Sequence, residues 1–415
     1  MPRKAQEVRD IDTWRDWLDA TWPYALSALL GGLAVAGIVW LRGPTPTPKV
    51  EAARTIPDAL RADPSSFSWT QLPEPSFPIP PYARFLKDVT IVIDPGHVGQ
   101  RDRGGTWKRG PTGLREAYVN LNVARFLREF LDEAGARVAL TREEDRGLDL
   151  DDDEDLDQRA DVANRMQADL LISVHHNAAD SPKANYTTVW YHRSADHSPA
   201  SLDVAKSVLY GLHDALRLEQ QIECGIQDDH LVYANGGFRL LRSARVPAVL
   251  CESSFHTNPD EESRLRDPLY NRREAYGLFL GLARWANAGL PRLRLVDPPD
   301  GKPQRGKPLT FALDDGLSNR GGMGKDTPKI IEETVRVEID GKAAAFEFDA
   351  RKHVVRVTPQ GTGDRPFTVS VDFENVFGQH VLQPRITLPL GASESQQPPA
   401  PAAPRRLESL RRRGK

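Results

Sequence analysis

The stretch VTIVIDPGHVGQ, residues 89–100, predicts a buried β-strand that runs into a tight turn. The strand is a run of β-branched apolar residues, and Asp94-Pro95-Gly96 interrupts it with residues that favour turns. His97 follows directly. Because ligand sites in open α/β sheets lie beyond the carboxyl ends of the strands, this stretch places His97 where a functional site is expected.

Strand and helix patterns alternate through residues 86–290, which we predict to be one catalytic domain. After the strand at residues 89–94, further strands are predicted at residues 137–141, 170–175, 187–192 and 248–252. Apolar residues at helical spacing separate them, as in EAYVNLNVARFLREFLDEAG and ASLDVAKSVLYGLHDAL. Strands that alternate with helices predict an α/β fold, with a mostly parallel sheet flanked by helices.

The pattern changes to all-β in residues 291–392. Short runs such as TVRVEIDG and PFTVSVDFEN alternate apolar and polar residues, and Gly, Pro, Asn and Asp separate the runs. About 100 residues of such strands predict an immunoglobulin-like β-sandwich. The tail, residues 393–415, is low in sequence complexity and is predicted to be disordered.

The first 85 residues predict a membrane anchor and a spacer. WPYALSALLGGLAVAGIVWLRG has no charge before Arg42 and is long enough for one transmembrane helix, which we place at residues 22–42. A cleaved signal peptide is the alternative, but it would have a shorter apolar region and a small-residue cleavage site. The Pro-rich residues 43–85 predict a linker.

Basic residues within residues 1–21 favour a short cytoplasmic N-terminus. The chain is therefore predicted to be a single-pass protein of the cytoplasmic membrane, with its larger domains on the periplasmic or cell-wall side. A net charge of -3 argues against nucleic acid as a partner. Two cysteines are too few for a disulfide framework, so unpaired thiols are favoured over a single disulfide.

Four chemically suitable side chains are predicted to meet at one edge of the sheet. His97 follows the first strand, His175 ends the third, Glu252 ends the last, and Glu116 opens the first long helix. Catalytic zinc is commonly held by two histidines and a glutamate, which leave one position open for water. His97, Glu116 and His175 supply that set, and Glu252 is placed to move a proton.

Each of these residues also has an ordinary structural explanation. A single histidine after a strand is more often a hydrogen-bonded turn residue, and a glutamate at a helix start is favoured by the helix dipole. Glu252 alone would fit as a buried partner of an arginine such as Arg159. The four residues at one edge, taken together, favour a site.

The ordered motifs IVIDPGH, Glu116 ahead of VNLNVARFL, LTRE, QRADVANR, ADLLISVHHN and PAVLCE resemble the zinc-dependent N-acetylmuramoyl-L-alanine amidases of the amidase-3 type. The resemblance covers residues 88–287. It implies an α/β sheet between helices, one bound Zn2+, and peptidoglycan as the substrate. It also implies that His97, Glu116 and His175 bind the metal and that Glu252 is catalytic.

The chain departs from the family pattern at several positions. His97 is followed by Val98-Gly99, and Ser253-Ser254 replaces the usual two glycines after Glu252. His176 follows His175, and strand alternation sends it to the opposite face. His256 is read either as a residue of the cleft or as an ordinary surface histidine.

Two further segments have a preferred interpretation. LDLDDDEDLDQR, residues 148–159, lacks the glycine and final glutamate of a calcium loop and favours a solvated acidic loop that runs into a helix. Some family members carry a plug helix over the zinc, but residues 216–247 leave little room for one.

Three functions remain open from the sequence. The first is zinc-dependent hydrolysis of the amide between N-acetylmuramic acid and L-alanine in peptidoglycan by an enzyme anchored in the membrane. The second is a zinc peptidase or amidase that acts on another amide. The third is a catalytically silent cell-wall-binding protein, although a binding protein has no need of a proton shuttle.

Overall fold

The computed structural model describes residues 76–97, 108–145, 152–220, 222, 224–304, 306–318, 329–359 and 365–389. The described residues from Phe77 onward belong to one compact unit. The predicted transmembrane helix at residues 22–42 lies outside the described residues, as do the cytoplasmic segment, most of the linker and the C-terminal tail. Within the described ranges, no helix combines the length and apolar character that crossing a membrane requires.

A six-stranded sheet forms the centre of the first domain. Its strands are β1 (Thr90–Pro95), β2 (Arg137–Leu140), β3 (Leu170–Asn177), β4 (Thr188–Tyr191), β5 (Ile226–Asp228) and β6 (Ala248–Phe255). Their order is β2-β1-β3-β6-β4-β5. The first four strands in this order, β2, β1, β3 and β6, are parallel to one another. Strand β4 is antiparallel to β6 and parallel to β5. The predicted mostly parallel sheet is confirmed.

Within the described residues, six α-helices flank this sheet. They are α1 (Glu116–Glu133), α2 (Asp152–Met166), α3 (Ser198–Leu216), α4 (Arg239–Ser243), α5 (Pro259–Leu265) and α6 (Pro268–Ala288). Helix α6 packs along both α1 and α3. The α3–α6 contact is close because a Cβ atom at Gly277 would lie 2.8 Å from the carbonyl oxygen of Gly211. Glycine therefore sets the distance between these two helices.

A separate core lies between α2, α4 and the sheet. Buried residues from all three form one apolar cluster, which includes Val92, Ala160, Leu171 and Leu240. Side chains alternate along a strand, so Ile91 and Ile93 point to the other face, and both are fully buried. Burial on both faces explains why β1 is apolar without interruption.

The β-rich region forms two four-stranded sheets. Their strands are β7 (Arg292–Asp297), β8 (Leu309–Asp314), β9 (Arg336–Ile339), β10 (Lys342–Ala343), β11 (Phe346–Asp349), β12 (Val354–Val357), β13 (Phe367–Asp372) and β14 (Arg385–Leu388). One sheet has the order β10-β9-β13-β14 and the other the order β11-β12-β8-β7. All described pairs within these sheets are antiparallel. Buried residues of both sheets share one hydrophobic core.

Specific polar contacts join the two regions. The backbone N–H of Leu382 donates to the carbonyl of Pro291, and the Asn375 side chain donates to the carbonyl of Ala288 at 2.9 Å. The buried carboxylate of Asp203 on α3 accepts from the backbone N–H of His380 at 2.8 Å and contacts its Nδ1 atom at 2.9 Å. The β-rich region is thus held directly against α3 and the end of α6.

His380 gives this contact a pH dependence that can be measured. Burial lowers the pKa of His380, but Asp203, Asp372 and Glu374 outweigh burial, so the pKa lies above its ordinary value. A raised histidine pKa stabilises the fold fully below the pKa of the unfolded chain, about 6.5, and the gain is lost as the pH rises through the folded value. We expect His380→Ala to lower the free energy of unfolding by about 1–3 kcal/mol at pH 6 and by less at pH 9.

Urea denaturation of the wild type and the variant across this pH range measures the difference. His353→Ala is the control, because it lies in the same β-rich region and does not contact Asp203. An equal loss of stability at pH 6 and pH 9 would contradict the assignment of the charged histidine to this contact.

Candidate active site

The structure brings His97, Glu116 and His175 together at the carboxyl ends of β1 and β3. The Nε2 atom of His97 lies 2.9 Å from Oε2 of Glu116, and Nδ1 of His175 lies 3.1 Å from Oε1. The two imidazole rings meet edge to face, with centroids 4.7 Å apart. One carboxylate therefore lies between two imidazoles, with one oxygen directed at each.

Glu116 is nearly inaccessible to solvent, and its charge is stabilised by its neighbours. Its side chain is 3% exposed. Oε1 also accepts hydrogen bonds from the backbone N–H of His176 at 3.1 Å and from Nδ2 of Asn120 at 3.2 Å. Burial raises the pKa of Glu116, but His97 and His175 outweigh burial and hold this pKa well below its ordinary value. Glu116 is thus an anion at neutral pH.

Glu252 lies beside this cluster on the neighbouring strand. Strand β6 pairs with β3 in a register that places Glu252 opposite His175. The Oε2 atom of Glu252 is buried and has no hydrogen-bond partner among the described residues. Burial raises the pKa of this carboxyl to about 7, with Glu116 adding to the increase and His175 opposing it. A carboxyl of this pKa can both accept and return a proton near neutral pH.

The Asp94-Pro95-Gly96-His97 turn has a backbone shape that the site requires. His97 has a φ of 59°, in the left-handed region that few non-glycine residues adopt. At Gly96 the imidazole of His175 covers the backbone, and a Cβ atom there would lie 2.1 Å from its Nε2 atom. Only glycine leaves room for both histidines at this turn.

Two arginines hold the turn in this conformation. Arg159 pairs with the buried carboxylate of Asp94 at 3.0 Å and donates to the carbonyls of Pro95 and His97. Arg142 donates to the carbonyls of Pro95 at 2.8 Å and Gly96 at 3.0 Å. Burial raises the pKa of Asp94, but Arg159 together with the hydrogen bonds from Ser173 and Thr141 outweighs burial, so this pKa is lowered. The suggested pairing of Arg159 with Glu252 was wrong, because Asp94 lies at the arginine instead.

The role of Arg142 can be separated from general stability. We expect Arg142→Ala to weaken zinc binding by about 10- to 100-fold, since residues that orient metal ligands typically contribute that much. Competition with a fluorescent chelator measures the affinity. Arg128→Ala is the control, because Arg128 pairs only with the exposed carboxylate of Glu143 at 3.1 Å. Unchanged zinc affinity in Arg142→Ala would show that the turn keeps its shape without this arginine.

A buried hydrogen-bond chain supports Glu116 from the side away from the histidine ligands. His176 points to the opposite face from His175, with Nδ1 lying 2.8 Å from Oδ1 of Asn120 and Nε2 lying 2.9 Å from Oε2 of Glu274. Asn120 in turn donates to Glu116. The structure therefore places His175, not His176, beside His97 and Glu116.

Sequence reasoning did not assign roles to Asn120, Arg142 or Glu274. The first two lie inside motifs that carried the family resemblance, VNLNVARFL and LTRE, and these motifs were the available signal. Glu274 lies on α6, about 100 residues beyond His176 along the chain, and no local pattern connects the two.

The structure changes the interpretation of other predicted positions. His256 is fully buried, and its Nδ1 atom lies 2.9 Å from the carbonyl of His176, so the surface interpretation was wrong. The hydroxyls of Ser253 and Ser254 are buried without a hydrogen-bond partner among the described residues. Of the acidic run, residues 148–151 lie outside the described residues, and α2 begins at Asp152.

Between residues 216 and 247, where a plug helix was predicted to have little room, the described residues form only short elements. Between α3 and β6 the chain forms β5, a single 3-10 turn at Asp229–Leu231 and the five-residue helix α4. Leu240 and Leu241 of α4 are buried in the core cluster with α2. These leucines attach α4 to the domain core.

The donor set fits a zinc ion. Its three ligand atoms lie within 4.8 Å of one another. Two ligands at zinc distances of about 2.0–2.1 Å and a tetrahedral angle lie about 3.3 Å apart, close to the two histidine–carboxylate distances here. Two neutral imidazoles and one anionic carboxylate are also the usual donors of catalytic zinc. The arrangement can therefore hold a divalent ion beside a carboxyl group that titrates near neutrality.

Comparison with known proteins agrees with this chemistry. Residues 91–284 match the Amidase_3 family model, described as N-acetylmuramoyl-L-alanine amidase. The predicted resemblance to that family is thereby confirmed for this region.

Curated relatives match about half of the chain. The probable cell wall amidase LytH of Staphylococcus epidermidis is 29% identical over 204 residues, which cover 48% of this chain and 59% of the relative. The germination-specific N-acetylmuramoyl-L-alanine amidase of Bacillus subtilis is 29% identical over 214 residues, which cover 49% of this chain and 83% of the relative.

Among solved structures, the catalytic domain of CwlV, an N-acetylmuramoyl-L-alanine amidase from Bacillus (Paenibacillus) polymyxa, is 29% identical. The match covers 48% of this chain and 97% of that one, with a TM-score of 0.39.

Proposed function

We propose that this protein hydrolyses the amide between N-acetylmuramic acid and L-alanine in peptidoglycan, with one zinc ion held by His97, Glu116 and His175. The observation that carries the proposal is the position of Glu252. A three-ligand cluster alone would also suit a structural metal, but a buried carboxyl with a pKa of about 7 beside it suits hydrolysis. The family match of residues 91–284 supports the choice of amide.

Glu252 moves the proton in this reaction, beside the metal that the three ligands would hold. When bound, zinc supplies a Lewis acid that polarises the substrate carbonyl and lowers the pKa of a coordinated water. Glu252, as the carboxylate, accepts a proton at Oε2 as the water oxygen attacks the lactyl carbonyl carbon. The carbon–nitrogen bond then breaks, and Glu252 returns the proton to the leaving nitrogen of L-alanine. The products are the lactyl carboxylic acid and a free stem peptide.

The supporting residues keep these groups in place. Arg142 and Arg159 fix the carbonyls of the turn that carries His97, and Asn120 and the backbone N–H of His176 fix Glu116. Because the turn and the helix start are both held by buried contacts, the ligands are ordered before any substrate binds.

We also propose the arrangement of the whole chain from its sequence. Residues 22–42 anchor it in the cytoplasmic membrane, the Pro-rich linker separates the membrane from the catalytic domain, and the β-rich region is an immunoglobulin-like sandwich. The catalytic domain would then face peptidoglycan outside the cytoplasm. The long apolar run without charges supports the anchor, and the shared core of the two β-sheets supports the sandwich.

Product analysis tests the proposed activity. Full-length protein is incubated with purified peptidoglycan, with and without a chelator, and the released material is identified by mass spectrometry. We expect intact stem peptides that begin at L-alanine, their release lost with chelator and restored by zinc. Cuts inside the stem peptide would instead identify a peptidase. Tight binding without cleavage would identify a wall-binding protein with a silent site.

A further inference from the structure

A second histidine–carboxylate–histidine cluster lies at the opposite edge of the sheet. His192 directly follows β4, and Asp229 and His230 directly follow β5. Strands β4 and β5 are parallel to each other and run against β6. Their carboxyl ends therefore meet at the edge away from the carboxyl ends of β1, β3 and β6, where the candidate active site lies. The second cluster is independent of the first.

The contacts of this cluster resemble those around Glu116. Nδ1 of His192 lies 2.9 Å from Oδ2 of Asp229, and Nδ1 of His230 lies 3.9 Å from Oδ1. The two rings are 5.1 Å apart between centroids. One ligand atom from each residue lies within 4.8 Å of the other two. These distances bracket the value of about 3.3 Å expected between two ligands of a tetrahedral zinc ion.

The cluster is buried and leaves one donor without a hydrogen bond. Asp229 is fully buried, His192 is 5% exposed, and the side chain of His230 is 11% exposed. Nδ1 of His230 is inaccessible and has no hydrogen-bond partner among the described residues. A buried ring nitrogen without a partner costs free energy that a bound cation would recover.

The backbone of Gly237 and Phe238 packs closely against the carboxylate of Asp229. The N–H of Phe238 donates to Oδ2 at 2.8 Å. A Cβ atom at Gly237 would lie 2.3 Å from the carboxylate, and Gly237 has a φ of 62°. These contacts hold the carboxylate of Asp229 in the position from which it faces His192 and His230.

The segment after β5 has little apolar packing to hold it. Leu231, Val232 and Tyr233 are 70%, 47% and 58% exposed. Charged groups lie close by: Oδ1 of Asp228 lies 3.9 Å from Nδ1 of His230, Arg193 lies 3.7 Å from Oδ2 of Asp228, and Arg242 donates to the carbonyl of Gly236. A metal ion at the base of the segment would supply the missing attachment.

We propose that His192, Asp229 and His230 form a second metal site, which binds a divalent transition-metal ion such as zinc and attaches the segment after β5 to β4. Two imidazoles and one carboxylate suit zinc, and water completes its coordination. The site is structural, because the nearby carboxylate of Asp228 already accepts from the backbone N–H of His230 and pairs with Arg193, whereas Oε2 of Glu252 has no partner among the described residues. It does not depend on the proposed amidase activity.

Metal stoichiometry tests this site in the full-length chain without a histidine tag. The protein is stripped with chelator, equilibrated with zinc, desalted and analysed by mass spectrometry for zinc per chain. We expect two ions in the wild type, one in His175→Ala, one in His230→Ala and none above background in the double variant. His213→Ala, on α3 and outside both clusters, should keep two.

Cobalt spectroscopy keeps the test valid if His230→Ala folds poorly. In a His175→Ala background, Co2+ should give visible d–d absorption, and the further change His230→Cys should add a thiolate charge-transfer band in the near ultraviolet. A structural role for His230 without metal would give neither signal. A zinc content in His230→Ala equal to that of the wild type would overturn the proposal, whether the wild type holds one ion or two.

Discussion

Glu252→Gln should reduce turnover by at least about 100-fold while zinc remains bound. General acid–base catalysis contributes about 10²–10⁴-fold, and glutamine keeps the size of the side chain but cannot accept a proton. Glu252 is not among the three ligands, so the zinc content should stay at the wild-type value. Release of stem peptides and zinc per chain, measured on the same sample, separate these two effects.

The pH profile gives an independent measure of the same group. Burial raises the pKa of Glu252 to about 7 in the metal-free site, and a bound cation beside it would lower that pKa, so the carboxylate form needed as a base decreases below the pKa that Glu252 has in the zinc-bound enzyme. We expect kcat/KM of the wild type to fall about tenfold per pH unit below the pKa of this group. The residual activity of Glu252→Gln should lack that limb of the profile.

As the pH rises, the contribution of Glu252 to the free energy of unfolding should decrease while activity increases. A raised carboxyl pKa means that the folded state loses stability as the pH rises from the unfolded pKa, about 4.5, through the folded value of about 7. In metal-free protein, Glu252→Gln should therefore be more stable than the wild type at pH 8, by up to about 3 kcal/mol, and similar to it near pH 4. Denaturant titration at both pH values measures this difference.

Glu219→Gln is the matched control for Glu252→Gln, because Glu219 is exposed on the same domain. It should leave turnover, pH profile and stability unchanged. Wild-type turnover in Glu252→Gln would remove the proton shuttle from the proposed mechanism. Loss of zinc from this variant would show instead that Glu252 acts as a ligand.

Glu116→Gln should abolish both zinc binding and turnover. The change keeps the size of the side chain but removes the negative charge that lies between His97 and His175. It also replaces one of the two carboxylate oxygens with an amide NH2 group. If Oε1 is replaced, the backbone N–H of His176 loses its acceptor; if Oε2 is replaced, Nε2 of His97 loses its carboxylate partner. We expect the dissociation constant for zinc to rise by more than about 100-fold, the upper range for residues that only support the ligands.

Chelator competition measures the affinity, and circular dichroism checks that α1 still forms. Glu129→Gln is the matched control, because Glu129 lies on the same helix and pairs with Arg272 at the surface. Zinc affinity within tenfold of the wild type in Glu116→Gln would contradict its assignment as a ligand, on the scale used for such substitutions.

The sequence alone predicted the core of the α/β domain well, for a physical reason. β1, β3 and β6 are buried on both faces, so their apolar runs stand out, and long helices such as α1 show clear 3.6-residue spacing. The strand β5 has only three residues, all partly exposed, and α4 has five. Neither is long enough to show a period, so both appeared only in the structure.

The residues that arrive at the candidate site could be predicted from the sequence, because strand ends and a helix start are local features. His97, Glu116, His175 and Glu252 were all identified from such positions. Tertiary structure alone decided which atoms meet. The direction of His176 toward Glu274, the two arginines at the turn and the reversed pair β4–β5 depend on contacts between distant segments. Long-range packing sets these contacts, so they cannot be predicted from the local periodicity of the sequence.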